Sequence, residues 1–309
     1  MTTASDRVVI VGTGNVGATA AYAMMLRGLF TEIVLVDASA ERAAAEAIDL
    51  SDANALARPE RIRHGDYGDV AEARIVVLTA GAATHGDETR LSVAGRSAEI
   101  VRDCTRQIMA AGFDGVLVVA SNPVDVMAQV AQETSGLDPA RVIGTGTLLD
   151  SARFRQRLAQ QLGVAPAAVE ALVLGEHGDS EVAAFSTVRI GGVTLDAFDA
   201  PAAIDRDQLA REVMRAGYTI VQGKGYTSFG VATAIVRICE AIRRDENVVL
   251  PVSARTRGEY GIADVYLSLP CLIGASGIRR VLTPQLSHAE AEALRRSAAA
   301  LSAVLPEVG

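Results

Sequence analysis

A chain of 309 residues, half of them apolar and 21% charged, is long enough for about two domains of ~150 residues with a substantial core. Its 29 Lys+Arg against 37 Asp+Glu leave a net charge of −8, which offers no basic surface to nucleic acid. The composition fits neither a disordered nor a collagen-like chain, and no apolar run approaches the ~18 residues of a membrane span. Residues 1–7 lead straight into an apolar strand without a signal-peptide core, and Cys104, Cys239 and Cys271 form neither a disulfide framework nor a metal-ligand pair. The chain therefore reads as cytoplasmic, with no metal, nucleic acid or membrane expected as a partner. Lys224 is the only lysine. That excludes a Tyr-x-x-x-Lys dehydrogenase site, and Lys224 lacks the glycine pattern of a phosphate loop.

The first half alternates short β-branched runs with alanine-rich helical stretches. Strands are expected over 8–11, 33–36, 75–79, 116–119 and 142–144, each apolar throughout, as in a parallel sheet covered on both faces. Helices are expected between them, over 16–27, 40–55, about 91–111 and 124–134. This order predicts a doubly wound α/β sheet of the Rossmann type. From about residue 145 the texture changes to a helix over 151–162 and strands over 171–174, 187–190 and 193–195. Helices over 208–222 and 228–244 follow, then further strands between 248 and 282. The last helix opens on a capping box, Ser287-x-x-Glu290, with Leu294, Leu301 and Leu305 on one face. The expected division is a dinucleotide-binding domain over 1–144 and a C-terminal α+β substrate domain over 145–309.

Gly12-Thr13-Gly14-Asn15-Val16-Gly17 follows the first strand and opens the first helix. In that context the glycines allow a tight turn, close approach of a pyrophosphate and close helix–strand packing, while the helix N-terminus supplies amides for the phosphates. Asp37 ends the second strand, twenty residues beyond Gly17 (37 − 17 = 20), where a carboxylate grips the adenosine ribose and repels a 2′-phosphate. The cofactor expected is NAD. Of the four histidines, His288 opens a surface helix and His64 lies in a polar turn, whereas His177 sits between glycines in Gly-Glu-His-Gly-Asp-Ser after a buried strand. His85 is the fourth. By itself His177 reads better as a satisfied loop histidine.

Together with 86–90 (Gly-Asp-Glu-Thr-Arg), 121–125 (Ser-Asn-Pro-Val-Asp), 150–155 (Asp-Ser-Ala-Arg-Phe-Arg) and 225–228 (Gly-Tyr-Thr-Ser), these segments give the chain its resemblance. It resembles the L-lactate branch of the lactate/malate dehydrogenase family from about residue 8 to 305. The resemblance implies reversible hydride transfer between NADH and pyruvate or another small 2-keto acid. It makes His177 the acid–base group, Asp150 its carboxylate partner, Arg153 the clamp on the substrate carboxylate and Arg90 the carbonyl polariser on a lid. Asn122 would position nicotinamide and carbonyl, and Thr227 and Val231 would line the pocket, with Val16 in the cofactor cleft. The family commonly forms tetramers from two-fold dimers, so a homodimer or homotetramer is expected. With the first strand expected at residue 8, the N-terminal arm of the vertebrate members is not expected here.

Two positions depart from the family pattern. The lid residue facing the substrate side chain is Thr84, where lactate enzymes carry Gln and malate enzymes Arg; Gly217 falls where alanine is frequent behind the same pocket. A hydroxyl cannot balance a second buried carboxylate, so malate and oxaloacetate should serve poorly and side chains larger than methyl should be tolerated. Bacterial relatives bind fructose 1,6-bisphosphate through an Arg and a His; Arg155 matches the first, but Glu170 replaces the second, predicting little activation. Malate dehydrogenase, a broad L-2-hydroxyacid dehydrogenase and a catalytically inactive NAD-binding protein remain the alternatives.

Overall fold

A computed structural model describes residues 6–82, 90–198 and 204–308. The chain runs β1 (Arg7–Val11), α1 (Asn15–Arg27), β2 (Glu32–Val36), α2 (Ala40–Asn54), β3 (Arg61–His64), β4 (Ile75–Leu78), α3 (Arg90–Ala110), β5 (Val116–Val119), α4 (Val124–Ser135) and β6 (Val142–Gly144). It continues through α5 (Leu148–Leu162), β7 (Val169–Leu174), β8 (Val182–Ile190), β9 (Val193–Thr194), α6 (Arg206–Lys224) and α7 (Phe229–Arg243). The last elements are β10 (Val248–Arg257), β11 (Ala263–Gly274), β12 (Gly277–Val281) and α8 (His288–Val308). No helix of the described residues is long and apolar enough to cross a membrane.

Strands β1 to β6 lie parallel in the order β3-β2-β1-β4-β5-β6, the doubly wound arrangement whose ligand crevice opens at the carboxyl ends of β1 and β4, where the strand order reverses. Every residue of β4 and β5, and all but the first of β1 and β2, is buried, because helices cover both faces. The sheet does not stop at β6. Ser253 of β10 pairs antiparallel with Gly144, and β11 and β12 extend the same sheet to nine strands. A second sheet, β7-β8-β9, is antiparallel.

β3 is an element that apolar patterning misses, and His64 is its last residue rather than part of a polar turn. Arg-Ile-Arg-His carries almost no apolar signal. The strand pairs with β2 at the sheet edge and its arginines are neutralised there: Arg63 bonds Glu32 at 2.9 Å and also pairs with Asp69. α5 starts at Leu148, three residues ahead of the sequence expectation, and β8 at Val182, five ahead. α8 is capped as its sequence predicts, with the Ser287 amide donating to Glu290 Oε2 at 2.8 Å and the Glu290 amide returning to Ser287 Oγ at 3.3 Å. All three cysteines are free and buried.

Candidate active site

The turn after β1 is shaped for a phosphate. Gly12 has φ +98°, and a Cβ on it would stand 2.6 Å from the Ala80 amide. A Cβ on Gly17 would meet the Gly12 carbonyl at 1.9 Å, so α1 can pack this closely on β1 only through glycine. Gly14 is the opposite case: nothing lies within 4 Å of where its Cβ would be. It is also the cap of α1 and makes no side-chain cap bond, which leaves the first amides of α1 free for an anion. Half-buried Val16 follows in the first turn.

Asp37, at the end of β2, closes this crevice. Its Oδ2 accepts the Thr13 amide at 2.7 Å and the Thr13 hydroxyl at 3.0 Å, and its Oδ1 accepts the Ser39 amide at 3.0 Å. Burial works to raise its carboxyl, but these donors and the charge of Arg42 outweigh it and hold it below the usual range. A fixed, ionised carboxylate beside an open glycine turn fits a dinucleotide with a free ribose, and disfavours a 2′-phosphate.

The reactive cluster lies where α5 meets the loop after β7. The Val173 amide donates to Ser151 Oγ at 2.9 Å and Thr147 Oγ1 donates to the Val173 carbonyl at 2.5 Å, locking the helix start against the strand. That contact places Asp150 under His177: Asp150 Oδ2 lies 2.6 Å from His177 Nδ1, while its Oδ1 accepts from Arg153 Nη1 at 2.8 Å. The side chains of Asp150, Arg153 and His177 are 2%, 16% and 30% exposed, a buried carboxylate beneath two groups that reach the surface. The loop is held from behind by α8, whose buried Ser297 accepts the Glu176 amide at 2.8 Å and touches Ser180 Oγ at 2.9 Å.

Burial alone would push the His177 imidazolium down; the Asp150 carboxylate, with help from Asp125 and Glu181, outweighs it and lifts the group to about 9. Burial likewise works to raise Asp150, yet the charges of His177 and Arg153 hold it low. At neutral pH the cluster is thus an ion triad with a proton on the imidazole.

Two participants have no assignment from sequence. Asp125, in the first turn of α4, is fully buried and accepts the His177 amide on Oδ2 at 2.7 Å. Burial raises it to about 6. Asp125 closes the 121–125 motif, but no role is assigned to it there. Glu181, just beyond the histidine loop, brings a carboxylate oxygen within 4.8 Å of both the Asp150 and His177 donor atoms. Nothing in its sequence position set it apart from a surface acid.

Asn122 stands exposed after β5, joined to Pro123 by a cis peptide bond, three residues before Asp125. Thr227 is half-buried in the turn between α6 and α7, and Val231 is half-buried near the start of α7 against the core that covers one face of the sheet. Among the described residues, none of these three is hydrogen-bonded to His177. Arg90 opens α3, but its side chain lies outside the described residues, as do Thr84 and His85. Arg155 is half-buried on α5 and Glu170 exposed on β7.

Residues 6–144 match the family model for the lactate/malate dehydrogenase NAD binding domain, and 147–308 that for the alpha/beta C-terminal domain. An L-lactate dehydrogenase of Limosilactobacillus reuteri is 46% identical over 302 residues, covering 97% of this chain and 94% of that protein. One from Thermus aquaticus is 45% identical over 308 residues, covering 98% and 99%. Among solved structures, a lactate dehydrogenase from a Medee basin deep-sea metagenome library superposes with a TM-score of 0.95 at 39% identity, covering 99% of each chain. Sheet order, glycine turn and full-length similarity converge: the chain belongs to the lactate/malate dehydrogenase family.

Proposed function

We propose that the chain is an NAD-dependent L-lactate dehydrogenase, reversibly reducing pyruvate and other small 2-keto acids, and the observation that carries the assignment is Asp150 shared between His177 and Arg153. Gly12, Gly14, Val16, Gly17 and Asp37 would hold the dinucleotide, with Asn122 and Val231 at its nicotinamide end. The bound cofactor supplies or accepts the hydride. His177 gives its Nε2 proton to the carbonyl oxygen in reduction and recovers it in oxidation, and Asp150 stabilises the imidazolium while fixing the ring. Arg153, released from or shared with Asp150, offers the substrate carboxylate a planar fork that lysine cannot supply. Arg90 would polarise the carbonyl and exclude water from the lid, and Thr227 would face the substrate.

Thr84 supplies no cation for a second carboxylate, which favours monocarboxylic substrates over malate and oxaloacetate; with Gly217 it argues for side chains beyond methyl. The sequence division at residue 144, a homo-oligomeric state and a cytoplasmic location belong to the same proposal. NADH oxidation with pyruvate tests it. The parent protein should turn over, and His177→Ala should lose roughly 10²–10⁴-fold in kcat while retaining NADH binding. With no Trp in the chain, NADH fluorescence reads that binding cleanly. A parent that reduces oxaloacetate faster than pyruvate or 2-oxobutyrate would overturn the substrate assignment; one that binds NADH and reduces none of them would be a binding protein.

A further inference from the structure

Five ionisable groups meet around His177, yet the reaction above uses only three. The position of Glu181 identifies a task for the fourth. Its own amide donates to the Gly178 carbonyl at 3.3 Å, so the turn that presents His177 also carries the Glu181 side chain back to it. A carboxylate oxygen of Glu181, a His177 ring nitrogen and an Asp150 carboxylate oxygen all lie within 4.8 Å of one another. Asp150 takes both available cations, His177 and Arg153, and among the described residues the Glu181 carboxyl forms neither a hydrogen bond nor an ion pair. It is the surplus carboxylate of the cluster.

Resting on the reaction proposed above, we propose that Glu181 is a specificity-determining residue that admits the substrate carboxylate only while it carries a proton itself. Charge counting gives the reason. With Glu181 neutral, the cations His177 and Arg153 balance the carboxylates Asp150 and Asp125, the latter ionised above about 6, and a keto-acid monoanion adds a single negative charge. With Glu181 ionised the cluster already carries one negative charge, and the substrate would make it two in a half-buried site. Burial, and then the Asp150 charge, push the Glu181 carboxyl up to about 8 against the pull of His177 and Arg153. The change therefore falls in an accessible pH range.

Among the described residues no cation pairs with the Glu181 carboxyl. α5 presents Asp150 and Arg153, and α4 presents Asp125, which is committed to the His177 amide. On the loop itself Glu176 is taken up by Ser180, and α8 contributes the neutral Ser297. α6 brings Arg215 and Tyr218 to a 530 Å³ hollow that Asp179 also lines.

The test measures binding of oxamate, an unreactive isostere of pyruvate, to the protein–NADH complex between pH 7 and 9.5. Groups titrating at about 8 and about 9 should raise the parent's oxamate Kd roughly twentyfold from pH 7 to 9, steepening beyond tenfold per pH unit above 9. In Glu181→Gln only His177 remains, and the rise should stay under about fivefold; Glu181→Ser should behave alike and guards against a packing defect in the first variant. Equal rises in parent and variants, in a parent that reduces pyruvate at pH 7, would overturn the role of Glu181 and leave the reaction standing. A parent that neither reduces pyruvate nor binds oxamate would overturn both.

Discussion

Asp150 is asked to do two things at once. Its two oxygens hold different cations, His177 at 2.6 Å and Arg153 at 2.8 Å, so one buried charge sets both the acidity of the imidazole and the resting position of the guanidinium. Asp150→Asn keeps the shape and removes the charge. His177, which Asp150 holds near 9 against burial, would then fall toward or below its ordinary 6.5. Reduction needs the imidazolium, so the limb on which kcat/KM for pyruvate declines with rising pH, set in the parent by Glu181 at about 8 and His177 at about 9, should move into the range of 6 to 7. At pH 7.5 the loss should be about tenfold or more, whereas lactate oxidation, which starts from neutral imidazole, should lose less. Superimposable pH profiles for the two proteins would show that Asp150 does not control the imidazole. At this scale the sequence was informative wherever a motif names a residue type at a spacing, as for Asp150, Arg153 and His177. It assigned no role to Asp125, legible only as the end of a motif, and none to Glu181; their significance comes from contacts across the fold, Asp125 lying 52 positions from the amide it accepts.

The turn between β1 and α1 separates a glycine needed for packing from one needed for space. Gly17→Ala drives a methyl to 1.9 Å from the Gly12 carbonyl, a backbone atom with no freedom to retreat. Gly14→Ala meets nothing within 4 Å and leaves the core intact, but its methyl fills the volume over the free amides of α1. The expected outcomes are therefore different in kind. Gly17→Ala should lower Tm by several degrees or prevent folding, and Gly14→Ala should keep the parent Tm and lose roughly tenfold or more in NADH affinity by fluorescence titration. Parallel loss of both properties in both variants would remove the distinction. Elements were legible in sequence where burial on both faces makes the run apolar, as in β4 and β5. They were illegible where ion pairs replace apolar contact: β3 reads as a polar segment because its arginines find Glu32 and Asp69 only after the sheet has formed.

On the scale of the whole molecule, the change of texture near residue 145 marks a change of architecture without a gap in the core. Gly144 ends β6 and pairs with Ser253, and a Cβ on Gly144 would stand 2.7 Å from the Ser253 Cβ, so the parallel and antiparallel parts of the sheet meet in tight contact. Both large cores draw on both sides of the junction. One packs Val9, Leu78 and Leu117 with Leu267, Leu294 and Leu301; the other packs Val8 and Ile10 with Ile235, Val252 and Ile273. Only the smaller cluster around Phe154, Val173, Val188 and Val213 belongs wholly to the C-terminal part. That pairing of β6 with β10 could not be read from residues more than a hundred positions apart, although each strand was expected. A chain this long commonly unfolds in stages, but shared cores couple the parts. Heating at fixed protein concentration should give one transition, with far-UV dichroism and tyrosine fluorescence coinciding, and residues 1–144 expressed alone should show no cooperative unfolding because about a third of one core and two fifths of the other are missing. Two resolved transitions, or a stably folded 1–144 fragment, would mean that the junction at β6 and β10 joins units that fold independently.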